Sequence, residues 1–277
     1  MVGERTFIDP VPGMSSEYSF IDRNWQFIKG DQARPLVEKF SDRPYLQGDR
    51  GIVRVPRDRW HVAQDAEANA WMNLWQGNVQ DRNLDHFIMF DKYKPLADRR
   101  YEHAIELGCG PFSNLSFVGM ACQVARCSLL DPLIQSYVSH PNCTYRGSHL
   151  VNNVVGEAPQ IPIVERIASP IEDMPTDRRY DLVVMINVIE HCFDVDLIFD
   201  RIAAILAPGG MFCFHDKYFS TEEIEHDLTY TYDAGHPLKV EMNALEAFLT
   251  RDYVPRFRRT ISTEPGYDSL YFIGERR

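Results

Sequence analysis

The chain has 277 residues, 44% of them hydrophobic, enough for one large domain or one domain with an elaborated end. Its formal net charge of −11, with no block of five or more basic residues, argues against nucleic acid as a main partner. No apolar run approaches a bilayer span, residues 1–29 lack the order of a signal peptide, and the six cysteines form no CxxC pair. These features point to a cytoplasmic protein with reduced core thiols and without a structural zinc site.

Residues 1–51 are rich in Pro, Asp and Arg with scattered aromatics, and they read as an arm or lid. Residues 59–77 are helical by pattern, because Trp60, Gln64, Glu67, Trp71 and Trp75 recur at three- and four-residue steps along one face. Three tryptophans on one stripe need a surface to dock on, and Gln64 and Glu67 on the same face need polar partners. A second helix is expected over 81–99, with Leu84, Phe87, Phe90 and Tyr93 at helical spacing. From residue 101 the order becomes strand, helix, strand, helix, the pattern of a parallel sheet covered on both faces. Strands are expected at 101–107, 126–131, 164–169, 180–187 and 211–217, a helix at 194–206 before Pro208-Gly209-Gly210, and an insertion at 142–161. A helix over 240–252 then precedes strands 256–264 and 269–275, joined by Pro265-Gly266-Tyr267-Asp268 as a hairpin. That hairpin places an antiparallel strand in an otherwise parallel sheet.

The expected first strand runs into Glu106-Leu107-Gly108-Cys109-Gly110, whose two glycines let a ligand approach the backbone. A dinucleotide would want a third glycine at 113, where Ser stands, and Glu106 at the strand end would repel an anion. A cationic or amine-bearing ligand fits better. Asp131 ends the second strand about 20 residues beyond Gly110, placed to accept ribose hydroxyls; the alternative is a helix N-cap before Pro132. His215 and Asp216 end the fifth strand at the edge where parallel sheets bind ligands, and His236 lies in a Gly/Pro loop beyond it.

The glycine turn resembles the acid-x-Gly-x-Gly-x-Gly loop of class I S-adenosylmethionine-dependent methyltransferases, with Phe112 replacing the third glycine. Three further strings are similar to that family: Ser169-Pro170-Ile171-Glu172-Asp173-Met174-Pro175, Asn187-Val188-Ile189-Glu190-His191, and Ala207-Pro208-Gly209-Gly210. The resemblance implies a Rossmann-like doubly wound α/β sheet of seven strands with an antiparallel C-terminal strand. Residues 1–100 would form an N-terminal arm and helical lid, and 101–277 the methyltransferase domain. S-adenosyl-L-methionine would be the cofactor, held by Glu106, Leu107, Gly108, Cys109, Gly110 and Asp131. Ile171 and Glu172 would meet the adenine edge, Asn187 would line the floor, and Trp60 and Gln64 would reach down from the lid.

The expected activity is O-methylation of a small polar acceptor, such as a sugar or secondary-metabolite hydroxyl. N-methylation of a small amine and a non-catalytic binding module are the alternatives. A hydroxyl needs a base, for which His215 supported by Asp216, His236 and His191 are the candidates. No metal is expected, although Asn187, Glu190 and His191 have the spacing at which some related O-methyltransferases hold a divalent cation. Neither a nucleic acid nor a membrane is expected as a partner.

Overall fold

In a computed structural model of the chain, the residues described are 27–29, 54–77, 81–155, 158–262 and 268–277. Most of the expected arm lies outside them; Phe27–Lys29 is described, as a short strand antiparallel to Thr231–Asp233.

A helix α1, Arg57–Asn69, continues into one π turn, Ala70–Leu74. Helix α2, Asp81–Met89, is shorter than the expected 81–99. The chain leaves the helix because Asp91, Lys92 and Tyr93 adopt left-handed φ values of 50°, 59° and 54°. The apolar stripe is nonetheless buried, with Phe90 and Tyr93 stacked at 4.9 Å.

Seven strands form the main sheet: β1 Ala104–Leu107, β2 Cys127–Leu130, β3 Ile163–Ile167, β4 Tyr180–Ile186, β5 Leu206–Lys217, β6 Tyr253–Ser262 and β7 Asp268–Arg276. Their order is β6-β7-β5-β4-β1-β2-β3, with β7 antiparallel to both neighbours and the five strands from β5 to β3 parallel. Near-continuous apolar runs such as Leu182 to Ile186 suit a sheet buried on both faces. The expected strand 101–107 divides, because Glu102 N and His103 N donate to the Asp181 carboxylate at 2.6 and 3.0 Å. Arg100–Tyr101 pairs instead with Gln123–Val124 in a separate small sheet. The residues of the expected hairpin turn lie outside the described residues except Asp268, which pairs with Ser262.

Successive strand residues feed opposite cores. Ile105, Leu107, Val183, Met185, Phe212 and Phe214 face one side, packed with α4, Val195–Ile205, and α6, Met242–Asp252. Phe199 and Phe248 stack across those two helices at 3.9 Å. Ala104, Leu129, Leu182, Val184 and Cys213 face the other side, with α3, Leu115–Ala121. All six cysteines are free and buried, and burial pushes the Cys122 and Cys127 thiols up to about 12. No described helix is long and apolar enough to cross a membrane.

The strand order reverses between β1 and β4. Beyond the carboxyl ends of strands at such a reversal the following loops diverge and leave a crevice. Here the loops after β1, β2 and β4 and the underside of α1 enclose it.

Candidate active site

The crevice is a cleft with about 930 Å³ of empty space, its open mouth included. Its floor begins at the glycine turn. Gly108 has φ +66°, and a Cβ there would stand 2.5 Å from Val188 Cγ1, so no side chain fits. Gly110, with φ +52°, faces open space, where a Cβ would meet only Arg82 Nη2 at 3.8 Å. Leu107 and Cys109 frame the turn with their backbone but send their side chains into the two cores. The 142–161 insertion braces the turn from behind. Tyr145 OH donates to Gly110 O at 2.6 Å, and Ser113 N donates to Thr144 Oγ1 at 2.9 Å.

Asp131 lines the cleft beside this turn and takes the capping role weighed for it. Its carboxylate accepts Leu133 N at 2.8 Å, as a cap does, and Gly110 N at 3.0 Å. Burial pushes its carboxyl up to about 6 despite these bonds. Gly110 and Asp131 are thus held together at one edge of the cleft.

Glu106 requires a correction. It does not reach the cleft; it lies beneath the turn and accepts Asn114 N, Asn114 Nδ2 and Leu115 N at 2.9, 3.0 and 3.2 Å, together with the Ser113 hydroxyl. Those amides are the orphan donors at the start of α3, so the carboxylate anchors that helix rather than selecting the charge of a ligand. Glu172 is corrected in the same way. One carboxylate oxygen accepts Phe193 N and Asp194 N at 2.6 and 3.0 Å, tying its loop to the start of α4, while Pro170 and Ile171 line the cleft. Burial pushes Glu172 up to about 7.

At the end of β4, Asn187 takes a left-handed φ of 60°, a conformation Asn tolerates, and lines the cleft. The following turn is capped by Asp216, which accepts Val188 N and Ile189 N at 2.9 and 2.6 Å. His215 points to the opposite side of the sheet, against His86 and Tyr271 with ring centroids 4.7 and 4.1 Å away. Burial, with His86 alongside, drives its imidazole well below the ordinary range. The expected His215 and Asp216 base is therefore overturned: adjacent strand residues face opposite ways, and neither lines this cleft.

α1 roofs the cleft and finds the polar partners its pattern requires. Trp60 Nε1 and Gln64 Nε2 donate to His191 O at 3.1 and 3.0 Å, and all three residues line the cleft. Glu67 Oε1 lies 2.8 Å from His191 Nδ1, and its other oxygen accepts Trp71 Nε1 at 3.1 Å. Burial opposes a charged His191, but Glu67 outweighs it and raises the imidazole to about 9. The Glu67 contact thus favours the protonated imidazole and weighs against His191 as the base. The His236 ring sits 4.6 Å away, its Nδ1 3.0 Å from each oxygen of Asp233.

Asp233 also accepts from Lys239 at 3.3 Å. Glu190 is paired with two cations, Lys239 at 3.2 Å and Lys217 at 3.0 Å, which already neutralise its charge. Two further contributors were absent from the expected site. Arg82 stacks on Trp71 at 4.5 Å and reaches over the glycine turn. Asp233 orients His236, and its position three residues earlier in the same loop was the available signal.

Residues 80–239, more than half of the chain, match the sequence model of the family described as a methyltransferase domain. The chain belongs to this family. It is a class I S-adenosylmethionine-dependent methyltransferase, which sets aside the non-catalytic alternative. A 41-residue stretch is 49% identical to the ubiquinone biosynthesis O-methyltransferase of Nitrobacter winogradskyi, spanning 15% of the methyltransferase and only 16% of that protein. The crystal structure of N-methyltransferase NodS from Bradyrhizobium japonicum WM9 with S-adenosyl-L-homocysteine is 17% identical. It covers 79% of the methyltransferase and 98% of its own chain with a TM-score of 0.55, a likeness of fold.

Methyl transfer is an in-line displacement at the sulfonium carbon. The protein contributes orientation, exclusion of water and a destination for the acceptor's proton. The methyltransferase has a roofed cleft, lined in part by an imidazole that a carboxylate orients.

Proposed function

We propose that the methyltransferase transfers the donor's methyl group to a hydroxyl of a small polar acceptor, with a sugar or secondary-metabolite alcohol as the leading class. One observation carries this reading: in the cleft, His236 has its Nδ1 held by the Asp233 carboxylate. That contact holds the ring through Nδ1, and we assign to Nε2 the proton that a hydroxyl acceptor must lose and a neutral amine need not lose before attack. The acceptor oxygen forms a bond to the methyl carbon, the carbon–sulfur bond breaks to leave S-adenosylhomocysteine, and the hydroxyl proton passes to His236. The ribose of the donor is assigned to Asp131, the backbone contacts to Gly108 and Gly110, the adenine edge to Ile171, and the floor to Asn187. Arg82, with its fixed fork of donors over the glycine turn, suits the donor's carboxylate. A turnover screen over sugars, phenols and amines tests the acceptor class; methylation confined to amines would replace the hydroxyl reading.

Residues 1–100 are further proposed as an arm and lid over a domain of residues 101–277. Trp60 and Gln64 of α1 support this by bonding to His191 across the cleft. Donor binding is then expected to slow amide exchange over residues 57–74 and to change tryptophan fluorescence. Identical exchange with and without donor would reduce α1 to a packing element.

A further inference from the structure

A second property of the cleft follows from side chains that α1 and two loops bring together. Glu67 on α1, His191 after β4 and His236 beyond helix α5, Thr221–Tyr230, each offer a ligand atom, and the three atoms lie within 4.8 Å of one another. We propose that Glu67, His191 and His236 form a binding site for a first-row divalent transition-metal ion of the zinc or cobalt kind, and that an ion held there silences the base.

Two imidazoles and one carboxylate suit zinc, cobalt or nickel, whereas magnesium and calcium take oxygen ligands throughout. Bonds of about 2.1 Å set tetrahedral ligand atoms roughly 3.4 Å apart, so side-chain adjustments on the order of 1 Å complete the set. His236 Nδ1 is anchored on Asp233 at 3.0 Å, the kind of outer contact that orients a ligating imidazole. His191 Nδ1 stands between Glu67 Oε1 at 2.8 Å and Gly235 O at 3.0 Å, so the carboxylate and this ring already face each other. Glu67 is steadied by the Trp71 indole N–H. The three residues line an open cleft, so a water or another small ligand can complete the coordination.

The binding half of this proposal is independent of the assigned acceptor. The silencing half rests on His236 being the base, because one nitrogen lone pair cannot hold a metal ion and accept a proton together.

The test is a cobalt(II) titration of the full chain without donor or acceptor, read by the visible ligand-field absorption. One saturating equivalent is expected. Glu67→Gln and His236→Ala are each expected to weaken binding at least tenfold, and Asp233→Asn, which removes the outer contact to His236 together with the Lys239 ion pair but no ligand atom, by about 10- to 100-fold. His149→Ala, a surface histidine outside the cluster, should bind as the wild type does. Unchanged circular dichroism keeps a folding defect from imitating lost ligation. No saturable band, or the same band in every variant, overturns the site. In a separate turnover assay, cobalt or zinc should inhibit and a chelator restore activity. Binding accompanied by faster turnover would overturn the silencing half and the base assignment with it, leaving the site in place.

Discussion

Replacing Asp131 by Ala is expected to weaken donor binding at least tenfold in titration calorimetry. Hydrogen bonds to a charged group contribute about 1.5–3 kcal/mol each, so two ribose hydroxyls counted in full would amount to 10²-fold or more. The variant also frees Gly110 N and Leu133 N, which Asp131 now holds at 3.0 and 2.8 Å, and so loosens the turn under the donor. The pH dependence has a definite sign. Burial raises the free carboxyl to about 6, and only its ionised form accepts both hydroxyls. Donor affinity should hold above that pH and fall by up to tenfold per unit below it. Asp131→Asn should bind weakly with no such slope. Unchanged affinity in Asp131→Ala would remove this residue from the donor site.

For His236→Ala, turnover on a hydroxyl acceptor should fall by roughly 10²- to 10⁴-fold while donor affinity stays near the wild-type value. Asp233→Asn keeps the shape of the loop but no longer holds the ring with a carboxylate, and should lie between the two. Single-turnover kinetics at saturating donor separate this chemical defect from slow product release. Full activity in His236→Ala would mean that the acceptor needs no base, which would favour an amine.

The parts of the site legible in the sequence were those carried by short stretches of chain. Gly108, Gly110 and Asp131 lie just beyond the ends of two adjacent strands, so a motif and a spacing suffice to bring them together. Glu106, Glu172 and Asp216 were misjudged for one shared reason: nearness to a strand end says nothing about where a carboxylate points. Each is consumed by backbone amides at the start of a helix or turn, because buried N–H groups must find acceptors. His215 was misplaced although the signal was present. Met211 and Cys213 share its side of β5, while Phe212 and Phe214 share that of Asp216, so alternation already separates the pair. The contact between Glu67 and His191 joins α1 to the far side of the cleft, and no local pattern encodes it. The stripe showed only that Glu67 needed a partner.

The burial of every cysteine gives the methyltransferase an internal clock for its own opening. A thiol reagent attacks the thiolate, and with Cys122 and Cys127 near 12 almost none exists in the folded protein at neutral pH. Labelling at each position must therefore wait until the surrounding structure opens, and its rate measures how often that happens. Cys192, on the wall of the cleft, would report the breathing of the roof, whereas Cys127 and Cys213, on β2 and β5, would report the sheet itself. A donor that clamps the roof should slow the first rate more than the other two, so one reagent and one peptide map would rank the mobility of the cleft against that of its scaffold.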